Sequence, residues 1–246
     1  MANGVPSVTC AAVSRSWSFT DFLVIFLGGR ALGIAATAFL TQLWGEELIL
    51  IFALLSQYLA MAAILALMAL RRQGGDLGFE LEPSDAKYLM WGALLQIVLS
   101  LLILPLSTAL LPQGEPTQDV GNALLETDRT WVRLATFALL VILVPVVEEL
   151  LFRGVLLNVL SNRSARVAIV TSAALFALVH LPGLDPDTLW QSAVVTLPRL
   201  FVVGLGLAWI TLRVKRLGPA IFLHAGVNLV AALIFLVPRE VLDSLG

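Results

Sequence analysis

The chain has two histidines, and both stand in strongly apolar sequence: His180 closes Phe176-Ala-Leu-Val-His180, and His224 opens His224-Ala-Gly-Val-Asn228. A third apolar stretch carries adjacent carboxylates, Glu148-Glu149-Leu-Leu-Phe-Arg153. An ionisable side chain in a segment long enough to cross a bilayer costs several kcal/mol unless it is paired or hydrated, so its presence points to function. A carboxylate, two imidazoles and an amide suit one task in such a place, the handling of water and its protons at a buried catalytic centre.

Spacing divides the labour among these groups. Residues four apart share a helix face while neighbours diverge by about 100°. Glu149 and Arg153 are therefore expected to meet as a self-neutralising ion pair, since either alone would be an uncompensated buried charge. Glu148 points elsewhere and is left available for chemistry. His224 and Asn228 project from one face into a common space. Pro145, three residues before Glu148, removes a backbone donor and is expected to kink its helix. Pro219 suits the first turn of the helix that carries His224.

The elements that position these groups follow from composition. The 246 residues are 59% hydrophobic and 13% charged, with a mean hydropathy of +0.94, against roughly 45–50% apolar and about 25% charged in soluble domains. The fold class is all-α, a polytopic transmembrane helix bundle forming one integral membrane domain over residues 1–246. Seven stretches approach the roughly 20 apolar residues a span requires: Phe22 to Trp44, Leu48 to Leu70, Tyr88 to Leu111, Trp131 to Leu160, Val167 to Leu181, Leu189 to Leu212 and Ala220 to Val237. The fifth is short and the fourth long enough to divide, so six to eight spans are allowed.

Arg15, Arg71, Arg72, Lys87, Arg163, Arg166, Arg213, Lys215 and Arg216 fall on one side of a seven-span arrangement. Glu46, Glu47, the acidic stretch Glu115 to Asp128, Asp185 and Asp187 fall on the other, with Arg129, Arg133 and Arg239. Cytoplasmic loops accumulate Lys and Arg, which puts the N-terminus in the cytoplasm and the C-terminus outside a prokaryotic cell membrane. Counted from the cytoplasmic helix ends, Glu148, His224 and Asn228 lie about 5 to 15 Å deep and His180 about 15 to 20 Å.

Other features read as structural. Gly29 with Gly33, and Gly204 with Gly206, would let helix backbones approach. The segment Gly74 to Pro83 reads as a turn leading into the third span through Ser84 or Asp85 as N-cap. Arg30 and Arg199 pair or snorkel. The single cysteine, Cys10, excludes an intramolecular disulfide and reads as an inert thiol. The first twenty residues lack the pattern of a removable signal peptide, so insertion is expected to start with the first span. A net charge of −2 without a basic block gives no nucleic-acid footprint.

The order EExxxR, then FxxxH about thirty residues on, then HxxxN in a later helix resembles the CaaX protease and bacteriocin-processing (CPBP) family of intramembrane endopeptidases. Here these are Glu148-Glu149 with Arg153, Phe176 with His180, and His224 with Asn228, in a catalytic core region of residues 131–237. The resemblance implies that Glu148 and His180 activate a water for attack on a peptide carbonyl. It also implies that His224 and Asn228 stabilise the oxyanion, and that Glu149 and Arg153 hold the helix geometry.

Family members have also been described as metalloproteases, and Glu148, His180 and His224 would make a three-ligand zinc set. With no HExxH pair present, a metal-free glutamate mechanism without cofactor is favoured. The expected partners are the lipid bilayer and a membrane-embedded or lipidated peptide or protein substrate. Two other readings compete. An ion- or proton-coupled transporter would spread ionisable groups through the full membrane thickness, and a scaffold or immunity protein would not need Glu148 at all.

Overall fold

The structure, a computed structural model, describes residues 17–71, 77–111, 118, 120–121, 124, 127, 129–161, 164–233 and 236. Cys10, Arg15, Arg72, Gly74, Glu115, Asp128, Arg163, Val237 and Arg239 lie outside the described residues. The helices are α1 (Phe19–Trp44), α2 (Ile49–Arg71), α3 (Ala86–Leu110), α4 (Thr130–Ser161), α5 (Ala165–Leu178), α6 (Leu189–Val214) and α7 (Gly218–Leu233). Among the described residues there is no strand, only one isolated antiparallel bridge between Gln118 and Leu184. Six helical segments, Phe19–Trp44, Glu46–Arg71, Pro83–Leu110, Thr130–Ser161, Ala165–Gly183 and Leu189–Val214, are long and apolar enough to cross a bilayer, and α7 is a shorter apolar helix of 16 residues. At 1.5 Å per residue it extends about 24 Å, close to the roughly 30 Å of a hydrocarbon core. The expected all-α bundle of about seven spans is observed.

Local chemistry sets the helix ends. Ser18 caps α1 by accepting from the Asp21 N–H at 3.2 Å, and the Asp21 carboxylate accepts from the Ser18 N–H at 2.7 Å, a reciprocal capping box. Ser164 caps α5 through the Val167 N–H. Chain reversal between α6 and α7 uses Lys215 in the left-handed region, with φ 63°. Pro219 then sits in the first turn of α7, as expected.

Alternating helix direction sends Trp17, Trp91 and Trp209 to one end of the bundle and Trp44, Trp131 and Trp190 to the other, matching the interfacial belts of membrane proteins. Arg71, Lys87, Arg166, Arg213, Lys215 and Arg216 share the end of Trp17. Glu46, Glu47, Arg129, Asp185 and Asp187 share the other, where Arg129 pairs with Glu47.

Glycines allow three close helix contacts. A Cβ at Gly29 or Gly33 would collide with Met61 and Gln57 of α2, and one at Gly92 or Gly226 would collide with the Leu223 and Leu89 carbonyls across the α3–α7 contact. The GxxxG spacing thus serves packing, as expected. Gly204 also packs against Ala173 of α5, at 3.0 Å for a Cβ placed on it, but Gly206 has nothing within 4 Å, so only the first of that pair relieves bulk.

Asp85 is the N-cap residue of α3, as expected, but its side chain makes no cap bond there. It accepts instead from the Glu82 N–H at 2.9 Å, in the capping box of the short 3-10 turn Pro83–Asp85. The Asp85 carboxylate is fully buried and bonded by both Nη atoms of Arg216. It clamps the start of α3 to the α6–α7 turn, and the hydrogen bond to Asp85 raises the Arg216 pKa above its ordinary value.

The long α4 does not divide. It runs continuously but widens twice into π-helix, over Leu139–Leu143 and Leu150–Leu156, on either side of the α-helical turn Val144–Glu149. Pro145 lies where the first wide segment ends, and the wider turn accommodates its missing N–H. Such π segments commonly mark functional sites.

Candidate active site

Glu148 and Glu149 occupy the narrow turn between the two π segments and are both buried. Because neighbours diverge around the helix, they enter different interfaces. Glu148 faces α2, where the Tyr58 hydroxyl donates to its Oε1 at 2.6 Å. Glu149 faces α7, where its Oε1 accepts from His224 Nδ1 at 2.9 Å. The same oxygen accepts from Arg153 Nη1 at 3.2 Å, giving the expected i, i+4 ion pair with both side chains fully buried.

Arg153 is held from three sides. Its Nη2 donates to the Gly204 carbonyl of α6 at 3.3 Å. Its guanidinium carbon lies 4.5 Å from the Phe176 ring centroid and 5.7 Å from that of Phe152. The aromatic faces and the Glu149 carboxylate together compensate a cation that apolar surroundings would otherwise exclude.

His224 stands between the two carboxylates. An ionised carboxylate can only accept, so the Nδ1 facing Glu149 carries a proton. Nε2 then turns toward Glu148 Oε2, 3.8 Å away. That is too long for a hydrogen bond and short enough for one water to touch both atoms. Glu148 Oε2 is buried and accepts no hydrogen bond among the described residues. One carboxylate oxygen is thus pinned and the other keeps its lone pairs.

His180 lies just past the last residue of α5, within the apolar span Ala165–Gly183. Its Nδ1–H donates to the Phe176 carbonyl at 2.7 Å, satisfying an acceptor that the helix end leaves over. The Nε2 lone pair is thereby left free. Phe176 is the hub between the imidazoles: its ring centroid is 5.1 Å from that of His180 and 5.6 Å from that of His224, both edge-on. No hydrogen bond joins Glu148 to His180 among the described residues.

Asn228 shares a face with His224 but is tied elsewhere, its Nδ2 donating to the Leu140 carbonyl at 2.8 Å. That carbonyl belongs to the first π segment of α4, where widening disturbs the regular backbone pairing. One amide N–H is spent there, and a second remains.

The structure therefore gathers Glu148, Glu149, Arg153 and His224 directly, and connects His180 through Phe176. Sequence reasoning missed Tyr58, which nothing in the motifs nominates. A zinc ion would require its ligands to converge within roughly 2.0–2.2 Å of one point. Among the described residues, no three of His, Cys, Asp or Glu gather in that way. In this conformation Glu148, His180 and His224 do not fit as a zinc set.

Residues 130–230 match the family described as type II CAAX prenyl endopeptidase Rce1-like. The match coincides closely with the stretch of the EExxxR, FxxxH and HxxxN motifs and bears out the resemblance drawn from them. The chain has no match among curated proteins and none among solved structures. The family match and the apolar helices together support an integral membrane peptidase.

Proposed function

We propose, with that family match as premise, that the chain is an intramembrane endopeptidase that hydrolyses a peptide bond of a membrane-embedded or lipidated substrate near the cytoplasmic face. The carrying observation is the asymmetry of Glu148: Tyr58 occupies Oε1, while Oε2 is buried, unbonded and beside His224 Nε2. Glu148 Oε2 accepts a proton from the attacking water. The oxygen of that water bonds to the scissile carbonyl carbon, and the proton passes to the leaving amine as the C–N bond breaks. His180, with a free Nε2 lone pair, shares the proton during its transfer.

His224 donates from Nδ1 to Glu149, and an N–H at Nε2 would face the developing oxyanion, with the remaining N–H of Asn228 as a second donor. Glu149 and Arg153 hold this arrangement in place. The end bearing Arg71, Lys87, Arg166, Arg213, Lys215 and Arg216 is the cytoplasmic one, with the N-terminus inside and the C-terminus outside.

The test is cleavage of a membrane-peptide library by the purified chain in lipid vesicles, with and without a chelator. We expect defined cleavage products and undiminished rates after chelation, since no step uses a metal. Absence of cleavage from every substrate would overturn the reading. Loss on chelation with recovery on added zinc would overturn its metal-free form.

A further inference from the structure

The family match begins at residue 130, so nothing in it bears on the three helices before that point. One side chain from those helices nevertheless reaches the carboxylate proposed as the base. Tyr58 of α2 is buried, and its hydroxyl donates to Glu148 Oε1 at 2.6 Å, the only hydrogen bond the Glu148 side chain makes among the described residues.

Packing alone does not explain a tyrosine there. Its ring belongs to the main apolar cluster, with Phe22 and Ile25 of α1, Met61 and Leu65 of α2, and Val147 and Leu151 of α4. A phenylalanine would bury the same ring in the same place without desolvating a hydroxyl. What the hydroxyl adds is a donor aimed at one oxygen of one carboxylate. A hydrogen bond to a charged group is among the stronger ones in proteins, and this one restrains the carboxylate plane so that Oε2 faces His224.

The α1–α2 pair is built to hold that donor still. Gly33 and Gly29 bring α1 against the backbone of Gln57 and Met61, which flank Tyr58 on α2. The Phe22 ring of α1 in turn packs edge-on against Phe152 of α4, with centroids 5.4 Å apart. The backbone carrying Tyr58 is therefore fixed relative to α4 from two directions.

We propose that Tyr58 is a positioning residue of the active site, and that the α1–α2 pair completes the centre by setting which Glu148 oxygen meets the water. This rests on the endopeptidase reading above. The test is Tyr58→Phe beside Glu148→Gln and wild type, each purified into vesicles, with kcat, KM and thermal midpoint measured on a substrate that wild type cleaves.

A lost hydrogen bond to a charged group corresponds to a fall in kcat of about 10- to 100-fold. We expect that fall for Tyr58→Phe, with KM unchanged and a modest fall in thermal midpoint, since a buried carboxylate loses its donor. Wild-type kcat in Tyr58→Phe would overturn the inference. So would a lowered midpoint with full specific activity in the folded fraction, which would make the residue a packing element. If Glu148→Gln cleaves as wild type does, Glu148 is not the base, and both that part of the reading and this inference fail. If only Tyr58→Phe keeps full kcat, that reading stands and this inference alone is lost.

Discussion

Replacing Glu148 by glutamine is expected to abolish turnover while leaving the bundle intact. Glutamine preserves the shape and can still accept from the Tyr58 hydroxyl through its amide oxygen, but it supplies no proton acceptor where Oε2 now stands. General-base catalysis contributes about 10²- to 10⁴-fold, so cleavage should fall by at least about a hundredfold. KM should change little, because the carboxylate acts on water. Expression and thermal midpoint report the fold. A scaffold or immunity protein would be indifferent to this change, and a Glu148→Gln chain that cleaves at the wild-type rate removes the glutamate from the mechanism.

Arg153 is the place where the fold itself should fail. Its guanidinium is fully buried and neutralises Glu149, bonds the Gly204 carbonyl and stacks on Phe176. Arg153→Met keeps much of the volume but leaves the buried Glu149 carboxylate without its guanidinium, with His224 as its remaining partner. Removing one partner of a buried pair costs about 3–5 kcal/mol, a large share of typical domain stability of about 5–15 kcal/mol. We expect a strong fall in thermal midpoint and in the yield of folded protein. Arg153→Lys should recover part of it, since it restores charge without the fork or the planar stack. An unchanged midpoint in Arg153→Met would show that Glu149 is compensated elsewhere.

The legible residues were those whose chemistry conflicts with their surroundings. Glu148, Glu149, Arg153, His180 and His224 stand out because apolar spans do not carry charge without a purpose, and i, i+4 spacing was enough to pair Glu149 with Arg153. Helix periodicity describes one helix at a time, however. It could not show that Glu149 also takes His224 from α7, or that Asn228 is drawn to the Leu140 carbonyl, because both depend on which helices are neighbours.

Tyr58 was invisible for the opposite reason. A tyrosine among apolar residues conflicts with nothing, and its role exists only once α2 lies beside α4. The π segments leave no trace in hydropathy, and Pro145 hinted only at some disturbance. Hydropathy placed His180 in the fifth span but could not show that α5 ends at Leu178 and that the imidazole itself finishes it. Asp85 read as an ordinary cap, and its use as a buried partner for Arg216 depends on a contact far along the chain.

The central claim is that a buried carboxylate directs a water molecule onto a peptide bond, and isotope transfer tests it most directly. The wild-type chain in vesicles would be given a substrate it cleaves in oxygen-18 water, and the products weighed by mass spectrometry. One oxygen-18 in the new C-terminal carboxyl, with no labelled product from Glu148→Gln, is the result this account predicts. Labelled product formed equally well by Glu148→Gln, or no product from the wild type, would contradict it.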